Sequence, residues 1–280
     1  PDKPLVIVGE DIHWADQQTI ELFASLLRVP TPRPILGLVT TRPEPRVLKA
    51  AREAGGAELL PLDELDVAAR RSFVESRFVP DETQRELIDQ ILARAGGNPL
   101  FIGEVLDSLS ERGIVEAEPE TSDQAGLYRW SRRDVVIEVP SSIEDALATR
   151  FDGLPANERD TLIHAAVFGR SVSAAGVSDL LGRPARLELD ELVRRGILAP
   201  DEGEYRFKND MAMTVAYSLV PPEARSRLHR QIAERISTAA NYRVGVDDGA
   251  VARHLELAGD AIPAVERYLR AAAHAVDVGG

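Results

Sequence analysis

Glu10 and Asp11 stand side by side directly after the aliphatic run Leu5–Val8, with His13, Trp14 and Asp16 close behind. Carboxylates at the carboxyl end of a buried parallel strand sit where ligands bind in open α/β sheets. A hard cation such as Mg²⁺ takes carboxylate oxygen, so Glu10 is the candidate metal ligand, directly or through water. Asp11 is the candidate group to polarise a water attacking a terminal phosphoryl group. Acid pairs after strands are common, and a solvated acidic turn is the competing explanation. His13 lacks partner ligands, and a single histidine rarely holds a metal.

Positioning those acids requires a strand and the helices behind it. The continuous run Leu5–Val8 reads as a strand covered on both faces, and from Asp16, a candidate N-cap, Ile20, Phe23, Ala24 and Leu27 recur at helical spacing until Pro30, Pro32 and Pro34 end the element. Ile35–Thr40 is a second strand, Val47–Ala54 a short helix ending at Gly55-Gly56, and Glu58–Leu62 a third strand candidate. Strand, helix, strand, helix, strand implies a parallel α/β sheet. Beyond it the pattern is helical over Val67–Phe78, Glu82–Ala95 and Pro99–Glu111, a small lid. Residues 116–140 read as a linker with a hairpin that includes the strand-like Val135–Val139. Short helices between Ser141 and Asp210, closed by Gly196-Ile197-Leu198, the acidic turn Asp201-Glu202-Gly203 and Tyr205-Arg206-Phe207, form a winged-helix pattern. Helices over Pro222–Ile236, Val251–Ala258 and Ala264–Val276, rich in small residues, look like the start of a TPR-like array. The expected fold is thus α/β plus all-α: part of an α/β domain over 1–62, the lid over 63–115, the linker over 116–140, the winged helix over 141–220 and C-terminal helices over 221–280.

Composition narrows the function. The 280 residues are 44% hydrophobic, enough for two or three cores, and carry a formal charge of -13. That sign opposes nonspecific nucleic-acid binding. No cysteine is present, which removes disulfides, zinc–cysteine sites and thiol nucleophiles and fits a reducing compartment, so the expected location is the cytoplasm. No membrane segment is expected, since the N-terminal apolar run is far short of the roughly 20 residues a span needs.

The string Ile7-Val8-Gly9-Glu10-Asp11-Ile12-His13-Trp14-Ala15-Asp16 resembles the Walker B segment of STAND-type signalling ATPases. Thr40-Thr41-Arg42-Pro43 resembles that family's sensor segment, and Gly97-Asn98-Pro99-Leu100-Phe101 its Gly-x-Pro motif, in matching order. The resemblance implies ATP/ADP and Mg²⁺ as cofactors of the parent protein, with Asp11 and Arg42 catalytic, Arg42 lying near the γ-phosphate, and Glu10 on the metal. It places Pro99 against adenine, beside Gly97 and Asn98, and gives His13 and Trp14 a structural or subunit-facing role. Where relatives often carry a diphosphate-sensing histidine after Tyr-x-Phe-Arg, this chain reads Tyr205-Arg206-Phe207-Lys208-Asn209, so Lys208 and Asn209 are the substitutes for that role. No Gly-x-x-x-x-Gly-Lys-Ser/Thr loop occurs in the sequence, which implies a chain truncated ahead of Walker B, unable to bind ATP tightly alone.

The expected function is a regulatory ATPase, with a fused effector domain or protein partner reached through the C-terminal helices and homo-oligomers in the ATP state. Two alternatives come from other classes: an ATP-independent protein-interaction scaffold, and a winged-helix transcription regulator. From Ser141 to Asp210 nine Lys/Arg face 13 Asp/Glu, a balance that repels phosphates and weighs against the last.

Overall fold

The computed structural model describes residues 3–28, 34–55, 57–117, 127–132 and 140–279. Pro30, Pro32, Gly56 and the expected strand Val135–Val139 lie outside the described residues, as does the side chain of Leu27. The chain divides into two compact units, Pro1–Asp63 and Glu64–Gly280.

In the first unit β1 (Leu5–Gly9) and β2 (Ile35–Val39) pair in parallel, Leu5 opposite Ile35 and Gly9 opposite Val39. The helices α1 (Gln17–Arg28) and α2 (Pro45–Ala54) complete it. Asp16 caps the start of α1, its Oδ1 accepting from the Thr19 N–H at 2.7 Å. Ile12, Ile20, Ala24, Val47 and Ala50 form the core, joined by the half-buried Phe23 and Val39. Period-two alternation puts Val6, Val8, Leu36 and Leu38 on the opposite face, each more than half exposed. The expected third strand, Glu58–Leu62, is not one: residues 57–66 carry no helix or strand, and Leu59, Leu60 and Leu62 are exposed. The physical reason is local, because Pro61 has no N–H to give a ladder and the short leucine run has no packed face to join.

In the second unit the segment expected to be a lid comprises α3 (Val67–Glu75), a 3-10 turn at Glu82–Gln84, α4 (Arg85–Arg94) and α5 (Pro99–Glu111). A short antiparallel ladder, β3 (Val115–Ala117) with β4 (Tyr128–Trp130), packs beside it. The segment expected to be a winged helix follows as α6 (Ile143–Asp152), α7 (Ala156–Phe168), β5 (Ser171–Val172), α8 (Ala174–Leu181), α9 (Arg186–Arg194), β6 (Leu198–Asp201), β7 (Glu204–Phe207) and α10 (Asp210–Ser218). Its sheet runs β5-β7-β6, all antiparallel. The wing turn places Glu202 at φ 45° and Gly203 at φ 90°, the positive pair that a two-residue hairpin matching strand twist demands. Last come α11 (Pro222–Thr238), α12 (Asp248–Leu257) and α13 (Ala261–Gly279). Helix α11 joins the winged helix through Leu228 and Ile232 against Val167 and Val220.

Helix α6 belongs to two cores at once. Ala146 is buried with the lid residues Ile102, Val105 and Leu106, whereas Leu147 and Phe151 are buried with Leu162, Leu189 and Phe207 of the winged helix. Among the described residues no helix is long and apolar enough to cross a membrane.

Candidate functional site

Glu10 and Asp11 follow β1 directly, at the carboxyl end of the parallel pair. The Thr40 N–H continues the ladder to the Gly9 carbonyl at 2.9 Å, and the Thr40 carbonyl accepts from the Ile12 N–H at 3.0 Å. Between these bonds the Asp11 N–H donates to Thr40 Oγ1 at 2.9 Å. Asp11 is thereby fixed in the left-handed region, φ 51° and ψ 39°, which aspartate tolerates better than most residues. The chain then turns through Ile12–Trp14, burying Ile12 beneath α1 and α2. Glu10 is exposed at this edge.

Arg42 lies at the same end of the sheet. Its backbone N–H donates to His13 Nδ1 at 3.4 Å, and Arg46 Nη2 donates to the His13 carbonyl at 3.4 Å, while the Arg42 side chain is exposed. An accepting Nδ1 assigns the neutral imidazole proton to Nε2, which is buried without a hydrogen-bond partner. His13 therefore braces the segment after β2. Trp14, 74% exposed, lies 5.2 Å from the His13 ring. The first unit thus sets Glu10 and Asp11 after β1 and Arg42 after β2, at one end of the parallel pair, and Thr40 is the clasp that the sequence alone did not single out.

In the second unit, Gly97-Asn98-Pro99 open α5. Gly97 is buried where a Cβ would stand 2.6 Å from the Leu65 carbonyl oxygen and 2.7 Å from Glu64 Cβ, and its own carbonyl accepts from the Leu65 N–H at 2.9 Å. Asn98 is the N-cap, its Oδ1 accepting from the Leu100 N–H at 2.9 Å, and Pro99 occupies N1, where its missing donor costs nothing. Both are exposed.

Lys208 and Asn209 close the wing. The Lys208 N–H donates to the Ile197 carbonyl at 3.1 Å, and its exposed ammonium lies by Gly196, at the carboxyl end of α9, where helix carbonyls favour a cation. Asn209 caps α10 through Oδ1, which accepts from the Ala212 N–H at 2.7 Å, and its Nδ2 reaches Glu104 Oε1 on α5 at 3.4 Å. The structure therefore links Asn209 to the helix that Asn98 and Pro99 begin.

Glu104 itself was missed in the sequence, as was the buried Arg150 it pairs with. Burial pushes the Glu104 carboxyl up and Arg150 offsets this in part. Burial also opposes the Arg150 charge, but Glu111, Asp107 and Glu104 outweigh it and hold the guanidinium protonated. Tyr128 donates to Asp107 Oδ1 at 3.0 Å, and its phenol is pushed up to about 12 by burial and by that carboxylate. The available signal was Glu104, Asp107 and Glu111 recurring along one side of a helix with no other charged position.

Three comparisons bear on this geometry. A family described as a domain of unknown function (DUF8739) matches residues 69–122, a stretch that runs from within α3 past β3. An uncharacterized protein of Rhizobium meliloti (strain 1021) is 29% identical over 96% of this chain, which spans 26% of that protein. Among solved structures, a Signal Transduction ATPase with Numerous Domains (STAND) protein with a tetratricopeptide repeat sensor from Pyrococcus horikoshii superposes with a TM-score of 0.54. The fold is STAND-like. That likeness covers 91% of this chain at 15% identity, and 33% of the other. The chain thus spans about a quarter to a third of the length of these relatives. At such identity the likeness speaks for the fold alone.

Proposed function

We propose that the chain is part of a nucleotide-dependent regulatory switch, with Glu10, Asp11 and Arg42 as the hydrolytic edge of an ATP site. The observation that carries this reading is Asp11 clasped by Thr40 at the carboxyl end of two parallel strands, within a STAND-like fold. Backbone bonds that fix Asp11 there set the point from which its carboxylate leaves the chain, which favours orienting an attacking water. Glu10, exposed beside it, suits Mg²⁺. Among the described residues no group of three or more acidic, histidine or cysteine side chains could hold a metal by itself. Mg²⁺ ordinarily takes one or two carboxylates and leaves its other positions to phosphates and water, so the donor set fits. When bound, the cation would neutralise phosphate charge. Within the second unit, Gly97, Asn98 and Pro99 are the residues we propose for a nucleotide base, and Lys208 with Asn209 those for a diphosphate.

Hydrolysis by the whole protein tests this. Asp11→Asn is expected to keep nucleotide binding and lose turnover by about 10²-fold or more, whereas Glu10→Gln weakens the Mg²⁺-dependent part of binding. Equal and small effects of both would sink the switch.

A second reading, an ATP-independent scaffold, has its own support. Ile262, Val265, Leu269 and Val276 form an exposed apolar stripe along α13, which suits a protein partner or effector. A whole protein that binds that partner equally with and without nucleotide would favour it. Nucleic acid fits poorly, because α9 carries Glu188, Asp190 and Glu191.

A further inference from the structure

Arg150 is 4% exposed, yet it carries its charge into the junction of α5 and α6. Nη1 donates to Glu104 Oε2 at 2.8 Å and lies 3.5 Å from Asp107 Oδ2, and Nε donates to Glu111 Oε1 at 2.9 Å. Nη2 donates to the carbonyl of Arg195, the residue that closes α9. One side chain on α6 therefore holds α5 and the end of α9 together. Burying a guanidinium contributes little net stability, since apolar residues of equal volume often do as well. Its better attested use is to fix which surfaces meet and in what register.

The second oxygen of Glu104 is the one that the Asn209 amide reaches. Asn209 is at once the cap of α10 and a side chain that contacts α5. We propose that Arg150, Glu104 and Asn209 form a conformational latch joining the start of α10 to α5, so that withdrawal of the Asn209 amide loosens both helices together. The latch does not depend on nucleotide binding. It predicts that any contact competing for the Asn209 amide is felt on α5, at the helix that Asn98 and Pro99 open.

Amide hydrogen exchange on the chain tests this with variants that spare the cap. Asn209→Asp keeps a capping oxygen, since aspartate caps as well as asparagine, but sets a negative charge against Glu104. Exchange is expected to rise about tenfold both at the start of α10 and across the middle of α5, within the ordinary range of coupling between sites, with α12 and α13 unchanged. Glu104→Gln combined with Asn209→Asp reverses donor and acceptor and should return both segments to within about twofold of the parent chain, a rescue that damaged packing would not show. Asn209→Ser, which also caps but is too short to reach α5, should loosen α5 as the aspartate does. Unchanged α5 exchange in Asn209→Asp or Asn209→Ser overturns the latch, as does a double variant as loose as the single one.

Discussion

One methyl group at position 97 separates two explanations of Gly97-Asn98-Pro99. In Gly97→Ala the new Cβ would meet Leu65 backbone atoms at 2.6 and 2.9 Å, and backbone cannot give way as a side-chain tip can. The substitution is expected to cost about 1–3 kcal/mol, read as a lower urea midpoint at unchanged slope. Gly96→Ala, whose nearest neighbour is Glu64 Oε2 at 3.9 Å, serves as the control and should change little beyond the glycine-to-alanine backbone term. The cap and N1 roles of Asn98 and Pro99 were legible in the sequence because helix starts are local chemistry. The squeeze at Gly97 was not, since it comes from a segment 32 residues earlier in the chain. Asp11 shows the same division. Its place after a strand could be read directly, but its left-handed conformation depends on Thr40, 29 residues away.

Between helices, a contact sensitive to pH joins α11 to α12. His229 Nδ1 and His254 Nδ1 face each other at 2.8 Å, and Tyr217 Oη of α10 lies 2.8 Å from His229 Nε2. Burial, then the cations Arg253 and Arg225, depress His229 to about 4; burial, His229 and Arg253 depress His254 to about 4. Unfolded imidazoles near 6.5 bind protons that the folded pair refuses. Stability should therefore be full above pH 6.5, fall between about 6.5 and 4, and level off below in this contribution. His254→Gln, followed by urea unfolding across that window, is expected to flatten the slope by roughly half. The sequence placed α5, α11 and α12 within a few residues, because amphipathic periods opened by a cap or by Pro99 and Pro222 at N1 are strong signals. Glu58–Leu62 is the exception, because a run of leucines too short to show a period reads as a strand and forms none. The sequence holds no hint of the histidine pair, whose members are 25 residues apart and meet only once two helices pack.

At the scale of the molecule, the second unit behaves as one body because α6 is shared between two cores. Removing the lid would uncover Ala146, and removing the winged helix would uncover Leu147 and Phe151 on the same helix. The lid and winged helix are therefore expected to melt in a single calorimetric transition, with equal calorimetric and van't Hoff enthalpies for that step. Leu147→Ala, which empties a fully buried site in the winged-helix core, should lower the melting point seen by Trp130 fluorescence in the lid, at a cost of about 2–5 kcal/mol. Trp14 would be replaced by phenylalanine to isolate that signal. The shared helix also bears on how such proteins exchange parts over evolutionary time. A genetic crossover between Trp130 and Ile143 would give α6 a foreign partner on the Ala146 side and separate Arg150 from its three acids. Recombination that leaves a working protein must carry the lid and winged helix as one heritable block, with the tolerant breakpoints lying beyond both.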